Sequence, residues 1–315
     1  MVRDCGVLVR FSDVYKRFGS ITALNKVSFT ILKGITGLIG PNGAGKTTTI
    51  NILTGLIRYD EGYVDVLGYD PWEDGEIIRD KIGVLLEDVE YPPSLTGYRL
   101  IKIVAELYGI DSRDSYVKGL IEFFEMGHAL ERRIETYSAG MLKRLGLILT
   151  FMNRDSSLTI LDEPGANLDV GGRIRLMDLI HNMRREGRNI LISSHILPEL
   201  EMVCDRYILM NKGEIVDSGS LNDIIKGIEM GEYFILSSDN NKLWRQIESI
   251  EYIKDKKFER GYIYITTDYP NSVMYRLAEI AEDLNIVIYE FRPIDSVLTR
   301  LFKERIYNGK DNISS

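Results

Sequence analysis

Apolar residues recur along this chain in three rhythms, and each rhythm predicts a different element. Short, mostly apolar runs such as Ile35-Thr36-Gly37-Leu38-Ile39, Leu158-Thr159-Ile160-Leu161 and Ile190-Leu191-Ile192 predict strands buried on both faces of a parallel sheet. Strict alternation in Val27-Ser28-Phe29-Thr30-Ile31 and Tyr262-Ile263-Tyr264-Ile265-Thr266 predicts half-buried strands. Helical spacing of Leu243, Trp244, Ile247 and Ile250, and of Val273, Leu277, Ile280, Ala281 and Leu284, predicts two amphipathic helices.

The order of these elements divides the chain into residues 1–225 and 226–315. The first part opens with strands and turns from Leu8 to Ile31 and turns at Lys33-Gly34. It then alternates apolar strands with helical segments, the pattern of an α/β domain around a mainly parallel sheet. Ligands of such sheets sit at the carboxyl ends of the strands. The second part predicts a strand over Tyr233–Ser237, another at Tyr252-Ile253, then Tyr262–Thr266, Ile286–Tyr289 and a last helix from Ser296 to Ile306. A β-α-β-β-α-β order suits a small ferredoxin-like α+β module. It carries no catalytic constellation, so packing, dimerisation or regulation is its expected role.

Composition narrows the class. A chain of 315 residues with 44% apolar and 27% charged residues is globular and long enough for about two domains. The net charge of −8 is poor for tracking a phosphate backbone, so no nucleic-acid partner is expected. Cys5 and Cys204 lie far apart with no CxxC spacing, which fits idle thiols in a reducing compartment. The three histidines are scattered and give no support for a structural metal site. No stretch approaches the roughly 20 apolar residues that span a bilayer, and the N-terminus lacks a signal peptide's apolar centre. A cytoplasmic protein is expected, reaching any membrane through a partner.

The chemistry is concentrated in Gly40-Pro41-Asn42-Gly43-Ala44-Gly45-Lys46-Thr47, followed by Thr48, which fits G-x-x-x-x-G-K-[ST]. Glycines let successive backbone N–H groups turn inward onto phosphate oxygens, and the helix that follows adds its positive dipole end. Lys46 would reach the β- and γ-phosphates and the Thr47 hydroxyl would ligate Mg²⁺. This motif alone leaves kinases, GTPases and ATPases open. Asp162-Glu163 at the end of a predicted strand supply a Mg²⁺ carboxylate and a base for an attacking water, which points to hydrolysis.

Between the two lies Tyr137-Ser138-Ala139-Gly140-Met141, which resembles the LSGGQ signature of ATP-binding-cassette (ABC) ATPases. Pro164 and Ala166-Asn167-Leu168-Asp169 resemble the family's D-loop, and Ser193-Ser194-His195 its switch histidine. Phe18 sits where the family has an adenine-stacking aromatic. The elements run in family order over residues 8–225, and Cys204-Asp205-Arg206 with Gly213 and Gly219 is similar to drug-exporter-type members. The resemblance implies a P-loop ABC cassette fold with an antiparallel N-terminal part, and a helical subdomain over about residues 88–150. It implies a head-to-tail homodimer, or paired cassette, that sandwiches ATP and Mg²⁺. Ser138 and Gly140 would touch the γ-phosphate on the opposite P-loop, and His195 would link that phosphate to Glu163. It further implies a separate membrane-spanning permease subunit docked near Tyr91-Pro92-Pro93-Ser94-Leu95-Thr96, a place on the cytoplasmic face of the cell membrane, and export.

Three departures stand out. Ala139 replaces a signature glycine and Met141 a glutamine; Ala139 keeps its N–H for phosphate unless positive φ is needed there. Glu87 stands where the family usually has a Mg²⁺-contacting glutamine, so it is a candidate metal ligand that also brings negative charge near the triphosphate. Two other classes compete. A non-transport ABC ATPase acting on ribosomes or DNA usually carries two cassettes or long coiled coils, absent here. A small-molecule P-loop kinase would have no use for the signature, the D-loop or His195.

Overall fold

The computed structural model describes residues 6–224 and 231–307. It divides into two compact units, Met1–Leu221 and Asn222–Ser315. The boundary expected at residues 225–226 lies outside the described residues, as does Cys5.

The first unit opens with two long strands, β1 (Val7–Phe18) and β2 (Ile21–Leu32), paired antiparallel. Phe11 opposes Phe29 in that ladder and the two rings stack with centroids 4.6 Å apart. A third strand, β4 below, completes a small antiparallel sheet on the other side of β1. The chain then enters a central sheet through β3 (Ile35–Ile39), all five residues of which are buried. Helix α1 (Lys46–Leu53) follows, then β4 (Glu61–Val66), α2 (Gly75–Lys81) and β5 (Ile82–Leu85). Three helices come next: α3 (Gly97–Leu107), α4 (Ser115–Phe123) and α5 (Ala139–Phe151). Thr96, Asp114 and Ser138 each cap one of them through a side-chain oxygen. The chain returns through β6 (Leu158–Asp162), α6 (Val170–Arg185), β7 (Ile190–Ser193), α7 (Leu197–Val203), β8 (Arg206–Asn211) and β9 (Glu214–Ser220).

The central sheet has the order β5-β6-β7-β3-β8-β9. Its first five strands are parallel and β9 pairs antiparallel at the edge. Register is what assembles the site. Leu161 lies beside Leu85, Asp162 beside Ser193, and Ser193 beside Leu38. The carboxyl ends of β5, β6, β7 and β3 therefore finish level with one another. The segments carrying Glu87, Glu163, His195 and Gly40 all leave the sheet along one edge, as the rule for parallel sheets requires.

After the short α8 (Leu221–Ile224), the second unit runs β10 (Gly231–Ser237), α9 (Asn240–Ile247), β11 (Asp255–Glu259), β12 (Tyr262–Thr267), α10 (Pro270–Asp283) and β13 (Ile288–Pro293). It ends in α11 (Val297–Phe302) and a π-helical turn over Lys303–Tyr307. Its sheet order is β11-β12-β10-β13 with every pairing antiparallel, the split β-α-β arrangement. Leu243, Ile247, Val273 and Leu277 pack against Ile235, Ile263 and Ile265 to form its core. The second strand falls on Asp255–Glu259, beyond Tyr252-Ile253, because a charged edge strand carries almost no apolar signal. The fourth starts at Ile288, two residues later than the apolar run suggests, since Ile286 is spent closing the core at the end of α10.

Among the described residues no helix is long and apolar enough to cross a membrane. Cys204 is buried, and burial pushes its thiol well above the usual range.

Candidate functional site

Gly40 to Gly45 bridge β3 and α1, and Gly43 and Gly45 adopt positive φ of 78° and 104°. At Gly45 a Cβ would stand 2.8 Å from the Leu24 side chain and 2.9 Å from the Ala23 carbonyl, so only glycine fits. Pro41, Asn42 and Ala44 complete the loop, and Ala44 donates its N–H back to Pro41 O at 3.1 Å, closing it as a turn. Lys46 is buried, with its Nζ donating to the Gly40 carbonyl at 2.7 Å and the Pro41 carbonyl at 3.3 Å. The ammonium is thus held over the loop's own carbonyls. Thr47 is exposed and Thr48 half-buried; both border the cleft.

That cleft has a volume of about 670 Å³. One wall is the loop Asn42–Thr48, another is Ile21-Thr22-Ala23 of β2, and Glu87, Glu163 and His195 face them. Phe18 lies just before the β1–β2 turn, 48% exposed, with the Lys16 ammonium 5.2 Å from its ring centroid. It is not among the wall residues. Ile21-Thr22-Ala23 were missed by sequence reasoning, because nothing in their types marks them; only the return of β2 beside Gly45 places them.

The acids opposite are held by a serine. Ser193 Oγ donates to Asp162 Oδ1 at 2.5 Å and accepts the Glu163 backbone N–H at 3.0 Å. The β6–β7 register makes that bridge, and sequence reading passed over Ser193 as part of the Ser-Ser-His run. Asp162 is 1% exposed, and its other oxygen, Oδ2, has no hydrogen-bond partner among the described residues. Burial holds its carboxyl above the usual carboxylate range, with the Ser193 bond opposing and the Glu163 charge adding. An orphaned, buried carboxylate oxygen at a phosphate-binding loop is what a hard cation would satisfy, so the residues present fit a divalent metal.

Glu163 is buried and sits in the left-handed region at φ 47°, a strain of the kind stored at working sites. Its Oε2 lies 2.8 Å from His195 Nδ1. An ionised carboxylate only accepts, so Nδ1 is the donor in that contact, which does not involve the second ring nitrogen. His195 itself is exposed at the cleft. Glu87 stands at the cleft's lip, and partial burial followed by Asp162, Glu163 and Asp88 raises its carboxyl above the ordinary value.

Ser138 and Gly140 lie elsewhere. Ser138 caps α5 by accepting the Met141 N–H at 3.3 Å, and neither residue borders the cleft. Ala139 opens α5 in helical conformation, so its replacement of glycine strains nothing. Gly140 is different. A Cβ there would stand 2.8 Å from the Asn167 carbonyl, so the segment after Glu163 packs directly on the start of α5. Asn167 also has positive φ, 62°. Arg144 ties the same junction, reaching Asp169 at 3.0 Å and Glu125 at 3.4 Å, while Arg175 reaches Glu125 at 2.8 Å.

The family described as "ABC transporter" matches over residues 24–166. The linearmycin resistance ATP-binding protein LnrL of Bacillus subtilis is 27% identical over 254 residues, covering 79% of this chain and 81% of that one. The ABC transporter ATP-binding protein YdbJ of the same organism is 36% identical over 216 residues, covering 68% and 70%. Among solved structures, one described as the ATP binding subunit of an ABC transporter superposes with a TM-score of 0.64 at 26% identity, covering 70% of this chain and 93% of its own.

Proposed function

The chain belongs to the ABC transporter family as an ATP-binding, ATP-hydrolysing subunit, and from that premise we propose that it powers export through a separate membrane-spanning permease, two copies closing on ATP. The observation that carries the site assignment is the Glu163–His195 contact facing the phosphate-binding loop across one cleft, with the unpartnered Oδ2 of Asp162 buried next in sequence to Glu163.

In this reading the N–H groups of Gly40–Thr48 hold the triphosphate and Lys46 exchanges its carbonyl contacts for phosphate oxygens. Thr47, Asp162 and Glu87 hold Mg²⁺. Held there, Mg²⁺ would supply positive charge against that developing on the transferred phosphoryl group. Glu163 takes the proton of the attacking water, and its backbone, pinned by Ser193, keeps the carboxylate at the cleft. His195 holds Oε2 through Nδ1, and its second ring nitrogen would bond the γ-phosphate by donating an N–H to it. Phe18 offers an open ring face to adenine, which its exposure favours.

Ser138 and Gly140 serve the nucleotide of the opposite copy, which their place away from their own cleft favours. Residues 91–96, leading into the helical subdomain, receive the permease, so the protein sits peripherally on the cytoplasmic face of the membrane. The second unit serves dimerisation or regulation. The relative named for linearmycin resistance supports the export direction.

Affinity capture from native membranes in gentle detergent tests this reading. A multi-span membrane protein recovered in near-equal amount is the expected result. Recovery of ribosomal or DNA-repair proteins instead would keep the ATPase and overturn what it powers.

A further inference from the structure

Lys143 is a charged residue for which the mechanism above has no role. It lies on α5, five positions beyond the Ser138 cap, and is 6% exposed. A lysine so deeply covered is unfavourable unless something answers its charge. Its Nζ donates to the Glu87 backbone carbonyl at 3.2 Å. The carboxylates acting on it are, in order, Glu87, Asp162, Asp88 and Glu163. Three of those four are the proposed metal and water residues. Burial pulls the ammonium below its usual value, and the four acids pull it back.

Topology explains the convergence. Glu87 and Asp88 leave the end of β5 and Asp162 ends β6, two neighbouring strands with Leu85 beside Leu161. Lys143 borders a second cleft, lined also by Glu87, Asp88, Tyr91 and Ala139. Glu87 borders both clefts. Lys143 itself lines the second cleft and not the first, in which the nucleotide is placed.

A triphosphate entering that first cleft meets Glu87, Asp162 and Glu163 as well as the phosphate-binding loop. Like charges at such range repel strongly inside a protein. We propose that Lys143 is a positioning residue that offsets this repulsion, holding the Glu87 segment by its carbonyl and supplying the fixed positive charge that lets an acid-rich site accept ATP. The inference rests on the nucleotide-site assignment above and adds to it the residue that makes glutamate workable at position 87.

The test measures binding of ATP in EDTA and, separately, with Mg²⁺, by equilibrium calorimetry on the full chain. Lys143→Met keeps the buried stem and removes the charge; it is expected to weaken metal-free ATP binding about tenfold, and Mg²⁺-ATP binding less. Lys143→Arg restores most of that loss. Glu87→Gln added to Lys143→Met also restores most of it, a rescue that a merely structural lysine would not give. Glu87→Gln alone binds metal-free ATP about threefold tighter than the unaltered chain, and this arm stands even if Lys143→Met fails to fold. Equal binding by Lys143→Met and the unaltered chain, no rescue by Glu87→Gln, or no gain from Glu87→Gln alone would each overturn the inference while leaving the nucleotide site intact. Absence of ATP binding by the unaltered chain would overturn the site and the inference together.

Discussion

The carboxyl edge of β6 and β7 and the interior of the second unit both bury polar side chains, and they treat them differently. In the second unit Ser237 Oγ donates to Asn240 at 2.7 Å and Thr267 Oγ1 to the Tyr252 carbonyl at 2.6 Å. Asp268 Oδ1 and Arg300 Nε are buried there without a hydrogen-bond partner among the described residues, yet each group is answered through its other atoms: Lys254 pairs with Asp268, and Arg300 lies over the Tyr233 ring. At the edge of the first unit Asp162 keeps one oxygen without a partner, Glu163 is held in a strained backbone conformation, and Lys143 answers acids across a gap. Satisfied polar groups stabilise; buried charge left unmatched is tolerated where a ligand will match it. The difference lies in the counter-charge: Asp268 has Lys254, whereas Asp162 is bonded by the neutral Ser193, which leaves its charge for a ligand to answer.

The largest effect expected from that contrast is at Glu163. Glu163→Gln keeps shape and the His195 contact but removes the base, so steady-state phosphate release falls by about 10²–10⁴-fold while ATP still binds. A variant that hydrolyses normally would remove Glu163 from the proposed role. The second unit offers the converse. Ile263 is fully buried in its core, and Ile263→Ala should cost about 2–5 kcal/mol in that unit's unfolding, read by denaturant titration. ATP affinity of the same variant is expected to stay within about twofold of the unaltered chain. A larger change would mean that the second unit regulates the site.

How much of this was legible beforehand follows the same division. The phosphate-binding loop and Asp162-Glu163 stand out as candidates because the chemistry demands particular residue types in short, contiguous runs, whereas His195 is named through the family resemblance. Ser193 and Lys143 do not stand out, because their roles depend on strand register and on what lies across a cleft; a serine or lysine in a string of letters carries neither. The fold shows the same limit. Buried strands β3, β6 and β7 announce themselves by apolar runs, whereas β11, Asp-Lys-Lys-Phe-Glu, holds its place through ladder hydrogen bonds to β12. Backbone pairing leaves no mark on composition.

Asp162 sharpens the comparison by opposing stability to function. Asp162→Asn keeps an oxygen to accept from Ser193 and removes the unmatched charge. The ligand-free protein is expected to gain about 1 kcal/mol at neutral pH, while Mg²⁺-dependent ATP binding is lost. The sign with pH is fixed by direction. A carboxyl whose value is raised on folding costs stability when ionised, and that cost disappears as pH falls through the raised value. The gap between variant and unaltered chain, followed by thermal melts without nucleotide, should therefore close on acidification. A gap that widens would mean that the buried carboxylate is already matched.

The smallest effect is at Ala139. If the signature needed glycine for its backbone, Ala139→Gly would improve hydrolysis by restoring the usual residue. Here Ala139 is the first residue of α5 in ordinary helical conformation, with the Ser138 cap in place before it. Glycine there brings only backbone entropy, so the expected change is a loss of about 0.5 kcal/mol in stability and no gain in turnover. The neighbouring position differs in kind. Gly140 lies under the Asn167 carbonyl, and any side chain must push the segment after Glu163 away from α5. Gly140→Ala should therefore lower turnover where Ala139→Gly leaves it unchanged. If the two variants behaved alike, conformational freedom at the start of α5, rather than its close approach to Asn167, would be what the signature requires.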